Sequence, residues 1–109
     1  MANENGEATS MDEILDHFHA VLDLRASAQD DAEKARAEFV LAATLHHLGH
    51  DQAAGLLQAV ALLRTADAGL PIPPGAEQRV EELKSEVDLV GLSKVADEFL
   101  ETLRVHLGR

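Results

Sequence analysis

Apolar residues near the start of the chain recur with the spacing of an α-helix. Between residues 11 and 26 they fall within an arc of about 100° when they are projected on an ideal helix. Ser10 followed by Glu13 fits a capping box, in which each side chain satisfies a backbone N–H group of the first turn. We therefore predict an amphipathic helix over residues 11–26, preceded by a polar, disordered tail over residues 1–9.

A second and a third helix are predicted to form a hairpin. The second begins after Asp30, whose spacing to Glu33 repeats the capping pattern, and ends at Gly49, a residue typical of helix C-termini. Asp51 is then predicted to cap a third helix that runs to about Ala68. Such a short connection leaves room only for antiparallel packing. Because apolar residues cover more than half of its circumference, we expect the second helix to be the most buried.

Prolines and glycines in residues 69–75 interrupt the helical pattern. A fourth helix is predicted to start near Ala76, but beyond Gly91 the apolar stripe points roughly 170° away from its earlier direction. One straight helix cannot bury both stripes. We therefore predict a kink or turn near Gly91 and a fifth helix over residues 93–106. The apolar stripe before the break consists of Val80, Leu83, Val87 and Val90.

The composition favours helices over strands. The chain has 109 residues, of which 46% are apolar but only 3% are aromatic, and it has no cysteine. Alanine and leucine have high helix propensity, whereas residues that favour strands are scarce. The lack of cysteine excludes a disulfide framework and cysteine-ligated zinc. We predict an all-α fold with a single helical domain over residues 10–109, built as a small bundle of four to five antiparallel helices.

Charge restricts the classes of partner. Twenty acidic and nine basic residues give a formal net charge of −11, and the basic residues are scattered along the chain. Contacts with phosphate backbones or with an anionic membrane need clustered Lys and Arg, so we expect no direct nucleic-acid binding and no membrane binding. A basic protein partner would be attracted instead, with a strong dependence on salt. The N-terminal residues lack the pattern of a signal peptide, which favours a cytoplasmic location.

The second and third predicted helices carry small residues on either side of a glycine turn. The small residues and the glycine are Ala42, Gly49, Ala54 and Ala61, and the large apolar residues between them include Leu41 and Leu45. Antiparallel helices approach closely only where the side chains between them are small. In this pattern residues 38–66 resemble one tetratricopeptide repeat, although Glu38 and Gln58 stand where that family usually has aromatic residues. The resemblance implies a protein-binding scaffold rather than an enzyme.

Six histidines raise the question of a metal site. His17 and His19 lie about 160° apart around the first helix, so both cannot enter one site. His46 and His50 have the i, i+4 spacing of helical zinc ligands, but Gly49 is predicted to end the helix between them. We therefore predict no metal site. No pattern in the sequence indicates another cofactor or a set of catalytic residues.

The segment around His46 and His47 also resembles the phosphoacceptor stretch of histidine phosphotransfer domains. Those domains are helical bundles of similar length, with an exposed histidine in mid-helix and a lysine at the third position after it. Here that position holds Gly49 or His50, so the lysine that helps to hold the phosphoryl charge is absent. Phosphotransfer through His46 or His47 is an alternative hypothesis.

The leading hypothesis is a non-catalytic protein–protein interaction module, such as an adaptor, a chaperone or a regulator. Surplus apolar residues on a short chain also favour a homodimer. A second alternative is an acidic inhibitor that mimics nucleic acid, which requires carboxylates at phosphate-like spacing on one face. The predicted interaction surface lies on the fourth and fifth helices and comprises Glu81, Glu82, Glu86, Asp88, Leu89, Asp97, Glu98 and Glu101.

Overall fold

Five α-helices make up residues 10–108, the part of the chain that a computed structural model describes. No strand occurs between residues 10 and 108, so the predicted all-α fold is confirmed. The expected tail over residues 1–9 lies outside the described residues. The helices are α1 (Met11–Ala26), α2 (Asp31–His47), α3 (Asp51–Asp67), α4 (Glu77–Glu86) and α5 (Leu89–His106).

The four long helices run antiparallel to their neighbours in an up-and-down bundle. The hairpin of α2 and α3 forms the most extensive contact between helices. Helix α5 closes the bundle and runs antiparallel to α1. Two contacts join the helices: Arg25 Nη1 donates to Asp97 Oδ1 at 2.7 Å, and His19 Nε2 lies 3.0 Å from the carbonyl oxygen of Leu107. The short helix α4 lies in the connection between α3 and α5 and packs on α3. This arrangement is a four-helix bundle with one long connection.

Two apolar clusters fill the bundle. The larger lies between α1, α2, α3 and α5, and Phe18, Leu41 and Leu57 are among its fully buried members. The smaller joins the C-terminal half of α3 to α4 and α5, and Leu63 and Leu83 are among its buried members. Because α3 takes part in both clusters, ten of its residues are buried, against seven in α2. The expectation that α2 would be the most buried helix is wrong, since α3 packs against α2, α4 and α5.

Local capping contacts set most of the predicted helix ends. Ser10 and Glu13 form the predicted capping box. Asp30 Oδ1 accepts the backbone N–H of Glu33 at 2.9 Å, as predicted. Gly49 ends α2 with a φ of +88°, a conformation that favours glycine. The N–H groups of Gly49 and His50 then donate back to carbonyls of the last turn at 3.0 and 2.8 Å, which forms a Schellman motif.

Asp51 does not cap α3, in contrast to the prediction. His50 occupies the N-cap position and makes no side-chain capping bond, whereas Asp51 is the first residue of the helix. The reason is that His50 also closes the Schellman motif of α2, so the next helix begins immediately after it. The Asp51 carboxylate lies 2.9 Å from His46 Nδ1 instead.

The break between α4 and α5 falls at Val87 and Asp88 rather than at Gly91. Asp88 is extended, and its carboxylate accepts the backbone N–H of Gly91 at 2.6 Å. This aspartate cap starts α5 earlier than the expected residue 93 and places Gly91 in the first helical turn. The predicted break exists, but its position was wrong. As a consequence Val90, which was assigned to the buried stripe of the fourth helix, is 81% exposed.

Candidate functional site

Three charged side chains meet in the interior of the bundle. Glu38 of α2 is 0% exposed. Its carboxylate accepts N–H groups from Arg25 Nε at 2.9 Å, from Arg64 Nε at 2.9 Å and from Arg64 Nη2 at 3.0 Å. The two guanidinium groups belong to α1 and α3, and both are buried. We call these three residues the Arg–Glu–Arg cluster; it joins three helices at one point.

Polar groups of α2 and α5 complete the cluster at its edge. Arg25 Nη1 donates to Asp97 Oδ1 at 2.7 Å, and Arg64 Nη2 donates to Ser93 Oγ at 2.9 Å. Arg64 Nη1 also lies 3.7 Å from Asp31 Oδ1. All four long helices therefore contribute. Between residues 10 and 108, Arg25 Nη2 is the one buried side-chain nitrogen or oxygen that makes no hydrogen bond.

The surroundings of Arg64 favour its charged form. Burial on its own lowers the pKa of the guanidinium, but hydrogen bonding and charge from Glu38, together with the charges of Asp31 and Asp97, raise the pKa above its ordinary value. A pKa that is raised on folding stabilises the fold at every pH below the unfolded pKa, and this effect is lost only as the pH rises through the folded pKa. The contribution of Arg64 is therefore constant throughout the neutral range.

The Arg–Glu–Arg cluster is suited to a structural role. The oxygens of Glu38 face two guanidinium groups and have no exposure to solvent. Three N–H groups occupy most of the acceptor positions of this carboxylate, and its complete burial keeps an incoming ligand away. Its effect is to fix the positions of α1, α2 and α3 relative to one another.

A groove open to solvent runs between α1 and α2 on the outside of the bundle. It consists of two adjoining hollows of about 480 and 520 Å³, which share His17 and Val40. Its walls are mainly apolar, and nothing between residues 10 and 108 covers it. We call it the α1–α2 groove. Its lining residues are Glu13, Ile14, His17, Val21, Leu24, Ser27, Glu33, Arg36, Ala37, Phe39, Val40, Ala43, Thr44 and His47.

Two carboxylates line the α1–α2 groove. Glu13 lines one of its hollows and Glu33 lines the other. Arg36 is the one lining residue with a fixed positive charge. The outer face of α1, next to the groove but outside its lining, carries further exposed carboxylates that lie close to one another, because they are four and seven residues apart. These are Asp12, Asp16 and Asp23.

The predicted interaction surface on α4 and α5 is divided between structural and solvent-facing residues. Asp97 binds Arg25, Asp88 caps α5, and Leu89 packs against the smaller apolar cluster. The other members are exposed, and three of them form ion pairs of 3.5 to 3.9 Å with a cation on the same helix. A binding role for this surface stays a prediction. These other members are Glu81, Glu82, Glu86, Glu98 and Glu101; Asp88 and Asp97 are exposed as well.

The candidate phosphoacceptors His46 and His47 lie at the C-terminal end of α2, not in mid-helix. His46 Nδ1 is 2.9 Å from Asp51, and both side chains are exposed. His47 lines the α1–α2 groove together with His17. No group of three or more His, Cys, Asp and Glu side chains between residues 10 and 108 is arranged to hold a metal ion. Phosphotransfer through either histidine stays a prediction.

Neither the Arg–Glu–Arg cluster nor the α1–α2 groove was predicted from the sequence. A signal for the cluster is present, because each of its charged residues lies on the buried stripe of its helix: Arg25 follows Val21 by four positions, and Arg64 follows Val60 by four. A charged residue in such a stripe is typically paired when it is buried. The groove has no comparable signal, because it depends on which helices pack together.

Comparisons with known protein families, with curated proteins and with solved structures find no match to this chain. Between residues 10 and 108, each helix is too short or too polar to cross a membrane.

Proposed function

We propose that this chain is a non-catalytic protein–protein interaction module, an adaptor, chaperone or regulator, that presents the α1–α2 groove to a partner protein. The observation that carries the proposal is the groove itself. Leu24 at one end is 61% exposed and Val40 at its centre is 38% exposed, so apolar side chains of the groove face water at both places. Contiguous exposed apolar surface on a small domain is typical of an interaction site.

The Arg–Glu–Arg cluster supports this proposal because it stiffens the walls of the groove. The bond of 2.9 Å between Arg25 and Glu38 ties α1 to α2, the two helices that form the groove. Arg64 then ties α2 to α3 from the other side. A surface that is already shaped before binding loses less conformational entropy when a partner docks.

An affinity experiment with the full chain tests the proposal. The immobilised wild-type protein is exposed to a native lysate of its source organism, beside the variants Val40→Glu and Val105→Glu. Val105 is exposed on α5, away from the groove, so it provides the same change of charge at a second site. We expect one protein to be retained in stoichiometric amounts by the wild type and by Val105→Glu, but not by Val40→Glu. Retention of no protein by the wild type would contradict the proposal.

A homodimer is a separate part of the proposal. The support for it is exposed apolar side chains in the N-terminal half of α5, where Val90 and Val95 are 81% and 51% exposed. Covering such residues in a symmetric contact removes apolar area from water. Sedimentation equilibrium over a range of protein concentrations should give twice the monomer mass, whereas a monomer mass throughout would contradict self-association.

A further inference from the structure

The walls of the α1–α2 groove have the shape and the chemistry of a receptor for a helix. The groove lies between two antiparallel helices, and from residue 13 to residue 24 of α1 it extends about 16 Å at the helical rise per residue. About three turns of a ligand helix fit along that length. Helix-in-groove recognition uses apolar side chains spaced at i, i+3, i+4 and i+7 along such a helix.

The charge of the groove and of the whole chain favours a positively charged ligand. Carboxylates of Glu13 and Glu33 line its two hollows, whereas Arg36 is the one fixed cation in the lining. The whole chain adds a formal net charge of −11. A ligand that presents lysine or arginine beside its apolar stripe is therefore attracted, and an acidic one is repelled.

From this combination, which rests on the proposed function, we infer that the α1–α2 groove binds a basic amphipathic α-helix of a partner protein. A second copy of this chain does not fit this site. It carries the same net charge of −11 and would bring an acidic surface against an acidic rim. Apolar anchors fix the partner helix in the groove, and its basic flank supplies attraction at longer range and selects against acidic helices.

A designed peptide tests the inference directly. The probe is a fluorescent synthetic helix of about 18 residues, long enough to be partly helical in water, with leucines at i, i+3, i+4 and i+7, lysines beside that stripe and alanines at the remaining positions. Its control has glutamate in place of every lysine. Fluorescence anisotropy measures binding of both peptides to the full chain and to its variants Val40→Glu and Val105→Glu. Circular dichroism confirms that each variant is folded.

The variant Val40→Glu separates apolar contact from charge. It makes the groove more acidic, so attraction of the lysine peptide by charge alone would increase. We expect the opposite, an affinity at least about tenfold weaker than that of the wild type, because the substitution places a carboxylate at the apolar centre of the groove. Val105→Glu adds the same charge on α5 and should leave the affinity within about twofold of wild type.

The inference is wrong if the lysine peptide does not bind, if the glutamate peptide binds equally well, or if all three forms of the protein bind the lysine peptide with the same affinity. The last result would mean that net charge alone recruits the peptide. The lysate experiment distinguishes failure of this inference from failure of the proposed interaction module. A stoichiometric partner in the lysate without peptide binding would overturn the inference but leave the interaction module standing; no partner and no peptide binding would contradict both.

Discussion

Arg64 and Glu38 form a bidentate ion pair in the interior of the bundle. Arg64 Nε donates to Glu38 Oε1 at 2.9 Å, and Arg64 Nη2 donates to Glu38 Oε2 at 3.0 Å. This pairing uses the planar fork of the guanidinium against both carboxylate oxygens, a geometry that lysine cannot reproduce. The second guanidinium, that of Arg25, approaches the same carboxylate from α1. One buried carboxylate therefore sets the relative positions of three helices.

Glu38→Gln should destabilise the fold strongly. The amide has nearly the same shape as the carboxylate but no charge, so two guanidinium groups would remain buried without a neutralising partner at the centre. Breaking a buried pair by removal of one partner costs about 3–5 kcal/mol. Urea denaturation measures this loss of unfolding free energy. The matched change Glu81→Gln at an exposed site should alter it by less than about 0.5 kcal/mol, and an equally small effect of Glu38→Gln would contradict the structural role of the cluster.

Replacing the whole Arg–Glu–Arg cluster with apolar side chains should cost far less than removing one member. In the triple variant Arg25→Met, Glu38→Leu and Arg64→Met, no buried charge is left without a partner, and Asp97 at the edge is exposed enough to be solvated. Buried ion clusters are often replaced in this way with no loss of stability. We expect an unfolding free energy within about 1 kcal/mol of wild type or higher. A loss as large as that of Glu38→Gln would show that the apolar core cannot substitute for the cluster.

Two glycines in neighbouring elements should respond to alanine in opposite directions. Gly49 has a φ of +88°, where a Cβ is strained, so Gly49→Ala should lower the unfolding free energy by about 1–2 kcal/mol. Gly55 is helical and exposed, with open space around its Cα, so Gly55→Ala should raise it by about 0.5–1 kcal/mol. Thermal denaturation distinguishes the two. A shift of the melting temperature in the same direction for both would contradict the described end of α2.

The start of α5 should depend on the Asp88 cap. Asp88→Ala removes the acceptor of the Gly91 N–H and should cost about 1 kcal/mol. Gly91→Ala is expected to cost less, because the Asp88 side chain can move away from the added Cβ, which would otherwise lie 2.8 Å from its Oδ1, and alanine favours the helix. Faster amide hydrogen exchange confined to the first turn of α5 is the expected readout for Asp88→Ala. Asp67→Ala, at an exposed position in the last turn of α3, serves as the control and should leave that exchange unchanged.

Helix boundaries were predictable where the capping chemistry is local. Ser10 with Glu13, and Asp30 with Glu33, are spaced so that the side chain reaches the backbone within one turn, and both contacts are present. The start of α5 was misplaced because Gly91 and Asp88 offered competing signals three residues apart, and the aspartate cap determined the outcome.

The buried alanines of the hairpin agree with close packing of α2 and α3. Ala42 and Ala54 are 8% exposed, and Ala61 is fully buried. Any tightly packed pair of helices needs small residues there, so a relationship to the tetratricopeptide family stays a prediction, as does mimicry of nucleic acid. Glu38, the residue that departs from the tetratricopeptide pattern, is the centre of the Arg–Glu–Arg cluster.

The α1–α2 groove could not be predicted from the sequence, for a physical reason. Val40 belongs to a helix with apolar residues on most sides, and the pattern alone does not reveal which side lacks a neighbour. Which side stays open depends on the position of α5. This helix packs beside α1 and α3, so the outer junction of α1 and α2 has no helix over it among residues 10–108. Such a choice between faces is made by tertiary packing, not by local periodicity.

The most direct measurement is a map of backbone amide resonances of the isotope-labelled chain during titration with the lysine peptide. We expect the largest shifts to cluster along the α1–α2 groove, around His17, Val40 and His47, and added salt to weaken binding without moving the site. Shifts centred on the carboxylates of α4 and α5, with the groove unchanged, would contradict binding in the groove.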